Sequence, residues 1–184
     1  NEKLEADLIA MIRKSDNAAA TRVLELVGRE ELLRILESPQ FMLYDRRYDG
    51  GLWVGKAYAK DGAYRRDPLN QISHGITAIQ GARFYYLLDT NRLVGPELTV
   101  KMKQILADPA IDHKFVKGLK ARPGARLYRK SGTWKQFHAD SALVEYRAHK
   151  YIIVGLAEDS QGGEWLEELA APLHDLAVKA AATE

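Results

Sequence analysis

The apolar residues of this chain change their period once, at Pro123-Gly124, and that change limits the fold more than any other feature. Before it, apolar residues recur at spacings of three and four, as on one helix face. Leu4, Leu8, Ile9 and Ile12 predict a first helix ending near Lys14, where Ser15, Asp16 and Asn17 interrupt it. A second helix is expected over about Ala18 to Val27, capped by Ser15 or Asp16 and closed by Gly28, and a third over about Arg29 to Leu36. Further helices are expected over about Ala78 to Leu88, from Gly95-Pro96 to about Leu106, and from Pro109 to about Leu119. After Pro123-Gly124, Ala125 to Gly132, Phe137 to Tyr146 and Tyr151 to Ala157 read as three strands joined by short turns. Sequential antiparallel pairing is their simplest arrangement. Glu164 to Ala181 then predicts a long helix with Trp165, Leu166, Leu169, Leu173 and Leu176 inward.

This order predicts an α+β fold: a mainly helical region over 1–120, then over 121–184 an antiparallel sheet flanked on one face by the C-terminal helix. The 184 residues are read as a single domain. Within the helical region, about 39–73 has no sustained period and holds Tyr44, Tyr48, Trp53, Tyr58 and Tyr64 among its glycines, so it is expected to be a long ordered loop, omega-type, or a set of short pieces, that packs down. Charge gives little direction, because 27 basic and 25 acidic residues leave a net charge of +2, which makes no case for nucleic acid or a membrane surface. No apolar run reaches the roughly 20 residues of a membrane span. The absence of cysteine excludes disulfides, thiolate nucleophiles and cysteine-bound metals. The five histidines show no metal-ligand spacing, so neither a metal nor a cofactor is expected. The run from Lys114 to Lys130 has seven basic residues and no acidic one, and reads as a solvated face or a basic rim.

Two short motifs carry chemistry: Ser15-Asp16-Asn17 between two helices, and Lys130-Ser131-Gly132-Thr133 at the end of the first strand. Each alone is weak, one a helix junction and the other a charged strand end. Together, in this order, they resemble the signature of penicillin-recognising serine enzymes, the class A β-lactamases and penicillin-binding transpeptidases or carboxypeptidases. Ala18-Ala19-Ala20, Val23-Leu24 and Gly28 extend the likeness, as do the three strands leading into a terminal helix. The resemblance covers nearly the whole chain and implies a β-lactamase/transpeptidase-like fold.

It also implies acyl transfer through a serine ester, in which a hydroxyl needs a neighbouring base to take its proton. In that scheme Ser15 shuttles a proton toward the leaving nitrogen, and Lys130 keeps the field positive near the substrate carboxylate and Ser15. Asn17 binds the substrate amide, Ser131 and Thr133 bind the carboxylate, and Gly132 permits close approach. The Thr133 N–H supplies half of an oxyanion hole. Asp16 ties the turn together, Asn70 is structural near the site, and Asp67 and His74 are open candidates.

Two departures qualify the resemblance. None of the six serines has a lysine three residues later, so the Ser-x-x-Lys motif is absent. The chain is therefore expected to be the C-terminal part of a longer polypeptide, incomplete without an upstream segment that carries the nucleophile; without it, the C-terminal helix and the strand at Tyr151 to Ala157 should expose apolar surface. The second concerns the omega loop. Arg66-Asp67-Pro68-Leu69-Asn70 places arginine where class A enzymes carry the glutamate that activates water, and no glutamate lies between Glu37 and Glu97. Slow turnover of the acyl-enzyme, or a peptide or ester substrate, is expected. The alternatives are a non-catalytic binding domain on the same fold, or an esterase or D-alanyl peptidase. Small amide or peptide substrates would favour a periplasmic or secreted location.

Overall fold

The computed structural model describes residues 2–58 and 62–181; Asn1, where a chain boundary was expected, lies outside them. The chain divides into two compact units, residues 1–100 and 101–184.

The first unit opens with α1 (Glu2–Arg13), α2 (Asn17–Val27) and α3 (Arg29–Leu36). Ser15 takes a left-handed φ of 53°, which ends α1 and frees Asp16 to cap α2, its Oδ1 accepting from Ala19 N at 2.7 Å. The segment from Phe41 to Ser73 is a set of short pieces: β1 (Tyr44–Asp45), a 3-10 turn (Arg46–Tyr48), β2 (Gly50–Gly51) and β3 (Trp53–Val54), with β1 pairing β2 and β3 pairing β4 (His74–Gly75). A side chain at Gly55 would place its Cβ 1.7 Å from Arg65 O, so glycine lets the loop cross itself. Leu33, Leu36, Leu43, Tyr44, Trp53 and Leu87 form the core. Of the loop aromatics expected to pack down, Tyr44 and Trp53 are buried and Tyr48 is exposed. Helix α4 (Ala78–Asp89) completes the unit, and α5 (Pro96–Leu106) spans its boundary.

The second unit holds α6 (Phe115–Gly118), β5 (Arg126–Trp134), β6 (Phe137–Tyr146), β7 (His149–Glu158) and α7 (Gly162–Ala181). The strands form one antiparallel sheet in the order β5-β6-β7. β6 keeps its predicted bounds, while β5 and β7 extend further into the turns because both hairpins close in two residues, with Lys135 and Arg147 taking left-handed φ at the first turn position. Phe115, Leu119, Ala142, Val144, Ile153, Leu166 and Ala170 make the core.

Two expectations are corrected here. The helix from Pro109 shrinks to Phe115–Gly118. The carbonyls of Ile111 and His113 accept from the Arg129 guanidinium, and Lys114 has φ of 52°, so the segment before Phe115 cannot continue a helix. The inward face of α7 is Gly162, Leu166, Ala170 and His174, spaced by four; Trp165, Leu169, Leu173 and Leu176 are exposed. A leucine-rich helix offers two candidate stripes, and the sheet takes the one with small residues because a close approach needs them. A Cβ at Gly155 of β7 would sit 2.4 Å from Leu166 Cδ2. Leu166→Ala should lose about 2–5 kcal/mol of stability, whereas Leu169→Ala should stay within about 0.5 kcal/mol, both read by denaturant unfolding.

Candidate functional site

The residues of the first motif stand at the N-terminus of α2. Ser15 is half-buried, and Asp16 and Asn17 are exposed, with Asn17 the first helical residue. Arg22 clamps α2 to α1 through Asp7 (Nη2 to Oδ1, 2.6 Å). Thr21, one turn in, donates to Tyr58 O at 2.6 Å, which ties the loop to this helix. The Tyr58 ring stacks on His74 with centroids 4.7 Å apart. His74 Nδ1 is buried without a hydrogen-bond partner, and burial, then the Lys56 charge, holds its pKa below the usual histidine range.

Asp67 is 1% exposed, and its Oδ1 accepts from Tyr44 Oη (2.9 Å), Leu69 N (2.7 Å) and Asn70 N (2.9 Å). This carboxylate brackets the turn that contains Asn70, whose Nδ2 reaches Asp49 O. Arg66, at the position the resemblance gives to glutamate, donates to Gln71 O. Burial and the Asp67 hydrogen bond push the Tyr44 hydroxyl up to about 12.

The second motif lies on β5, an edge strand of its sheet, so alternate backbone groups along it have no ladder partner among the described residues. Successive side chains point to opposite faces. Ser131 and Thr133 therefore share the face of Arg129, and Lys130 points the other way. Ser131 is 8% exposed, and its Oγ lies 3.1 Å from His113 Nε2. Thr133 is exposed, and its Oγ1 accepts from Lys114 Nζ at 2.8 Å. Lys114 is 2% exposed and spends its other donors on Gly132 O (2.7 Å) and Ala139 O (3.1 Å). A Cβ at Gly132 would meet nothing closer than Ala139 Cβ at 3.9 Å, so the strand surface is open there.

Beneath this rim Arg129 and Asp140 form a fully buried pair, Nε to Oδ1 at 2.6 Å and Nη2 to Oδ2 at 2.8 Å. Asp140 also accepts from Phe115 N and Ser141 N. The basic run is thus not simply a solvated face, since Lys114 and Arg129 are interior. His113, Lys114, Arg129 and Asp140 escaped the sequence reading. Asp140 did leave a signal: it alternates with Ala142 and Val144 on an apolar face, where a carboxylate needs a buried cation. Among the described residues, no group of three or more histidine and carboxylate side chains is placed to hold a metal, and no helix is long and apolar enough to cross a membrane.

A family model described as the beta-lactamase enzyme family matches residues 4–180. The chain belongs to this family. The β-lactamase of Vibrio parahaemolyticus superposes with a TM-score of 0.71 at 17% identity, over 97% of this chain and 65% of that one. For the β-lactamase of Sphaerobacter thermophilus the values are 0.69, 17%, 91% and 61%. For the protein titled PBP-A they are 0.61, 12%, 91% and 60%. Such identities establish the α+β β-lactamase/transpeptidase-like fold, and the chain spans less than two thirds of each of these structures. No curated protein matches it.

Burial, more than the neighbouring charges, pulls Lys114 and Lys130 down to about 8, against 10.5 for the unperturbed group. Between those values the unfolded chain binds more protons than the folded one, so stability rises with pH over that window and is lost as pH falls through 8. Tyr44 and Tyr151, raised by burial from 10.0 to about 12, act in the opposite sense: their contribution is present below pH 10 and lost toward 12. Unfolding free energy measured against pH should rise from pH 8 to a maximum near 10, and Lys114→Met should make that rise shallower.

Proposed function

We propose that the chain carries part of a serine acyl-transfer hydrolase acting on β-lactams or related amides and peptides. Its nucleophile would come from a Ser-x-x-Lys segment that these 184 residues do not contain. The observation that carries the reading is the joint presence of Ser15-Asp16-Asn17 and Lys130-Ser131-Gly132-Thr133 inside one family match. Local geometry supports the assigned roles. Asp16 spends its carboxylate on the α2 cap, which leaves Ser15 and Asn17 as the reactive members of the first motif. Lys130 stands next to Arg129 on β5, with Lys114 bonded to Gly132 O and Thr133 Oγ1, and this cluster of cations suits a strand end that keeps the field positive for a substrate carboxylate. Thr133 lies on β5, an edge strand, and a sheet edge is where an oxyanion donor would be drawn from.

The exposed apolar side chains of Trp165, Leu169, Leu173 and Leu176 on α7, with Leu156 on β7, supply a surface for the Ser-x-x-Lys segment to cover. The structures titled β-lactamase that the chain resembles are longer than it is, which fits that occupant. The commitment of Asp67 to Tyr44 and two backbone amides takes up the carboxylate next to the expected glutamate position, and this supports slow deacylation. Substrates of this kind place the protein in the periplasm or outside the cell.

The test is intact-mass analysis of the full-length polypeptide, Ser-x-x-Lys segment included, after incubation with benzylpenicillin. One covalent adduct is expected, persisting for many minutes, and Ser15→Ala or Lys130→Ala should slow its formation by about 10²-fold or more. Absence of any adduct rejects the β-lactam reading and leaves a non-catalytic binding domain or an esterase or peptidase on the same fold. Rapid loss of the adduct rejects the claim about Asp67.

A further inference from the structure

We propose that His113 is a positioning residue that sets the hydrogen-bonding direction of the Ser131 hydroxyl, so that capture of a carboxylate at the β5 rim depends on the charge of its imidazole. The proposal rests on the reading above that Ser131 binds a carboxylate, and extends it to a residue no motif includes.

The two groups are held against each other. His113 Nε2 lies 3.1 Å from Ser131 Oγ, and Ser131 has little solvent to turn toward. The His113 backbone is pinned on both sides: its carbonyl accepts from Arg129 Nη2, and the next residue, Lys114, is anchored by three hydrogen bonds. The Phe115 amide is then fixed by Asp140. The backbone that carries the imidazole therefore cannot shift away from Ser131 without dismantling a buried network.

This contact has two polarities. A neutral imidazole carries one proton. With that proton on Nδ1, Nε2 accepts the Ser131 hydroxyl proton, and the serine oxygen turns lone pairs toward an approaching anion. An imidazolium donates from Nε2, and the Ser131 hydroxyl proton is then released for a carboxylate oxygen. No bond is broken; only the proton count on the ring changes.

The charges around the ring are Arg129 and Lys130 from β5, Lys114 from its own segment and Asp140 from β6. Burial, then Arg129 and Lys114, holds the His113 pKa below the ordinary 6.5, with Asp140 opposing. The ring is thus mainly neutral at pH 7. A carboxylate docking at Ser131 favours the imidazolium, so its binding should take up a proton and tighten as pH falls through the His113 titration.

The test follows the His113 ring resonances by NMR across pH, with and without saturating acetate. Acetate should raise the apparent pKa by about half a unit or more, which corresponds to about threefold tighter binding to the protonated form. Ser131→Ala, with the other ring signals unchanged, should abolish that rise. His113→Gln keeps an amide donor at the Nε2 position without titrating, and should bind acetate with an affinity independent of pH between about 5 and 7; His113→Phe should weaken it at low pH. An acetate-insensitive titration, an unaltered response in Ser131→Ala, or an unchanged pH profile in His113→Gln overturns the inference. The measurement needs no acyl transfer. A protein that forms no penicillin adduct but shows this coupling loses the β-lactam reading and keeps the inference; the reverse result does the opposite.

Discussion

Everything around the β5 motif depends on one buried ion pair, Arg129 with Asp140. Removing two charges from water costs several kcal/mol per ion, so such a pair persists only when its geometry is good and its remaining groups are satisfied. Both conditions hold. The guanidinium and carboxylate meet through two parallel bonds, and the rest of their capacity goes to Ile111 O, His113 O, Phe115 N and Ser141 N. The pair joins β5, β6, the segment before α6 and the first turn of α6. A hydrophobic pair of similar volume could fill the space, but it could not hold an irregular backbone stretch by its carbonyls.

The consequence is electrostatic as well as mechanical. By fixing residues 111–115, the pair places Lys114 under Gly132 and Thr133 and His113 beside Ser131. Three cations, Lys114, Arg129 and Lys130, then share one strand end, with Asp140 as the buried carboxylate among them. Burial first, then the Arg129 charge, pulls Lys130 down to about 8, with Lys114 adding to the fall and Asp140 opposing it. Lys130 thus owes its lowered proton affinity to burial first and to neighbours outside the motif second.

The sequence showed the order of elements because apolar periodicity survives whatever packs against it. The change at Pro123-Gly124, the α2 cap and the three strands were all readable. The site's support was not. Lys114 and Arg129 look like surface residues in a basic run, and only the register of Arg129 and Asp140 on neighbouring strands reveals the pairing. On α7, Leu166 and Leu169 are equivalent by composition; the choice between them falls to Gly155, whose missing side chain admits Leu166. Asp67 offered a carboxylate in the right loop, but its side-chain partner, Tyr44, lies 23 residues away in the chain.

The central claim is that the Arg129–Asp140 pair holds the 111–115 segment beneath the motif strand. Amide hydrogen exchange in Asp140→Asn tests it most directly. The account predicts that the amides of Phe115 and Ser131 exchange at least about tenfold faster than in the parent protein, in keeping with the ~1–3 kcal/mol cost of orphaned buried groups, while the amide of Leu33 is unaffected. Equal protection of Phe115 and Ser131 in the two proteins would contradict it.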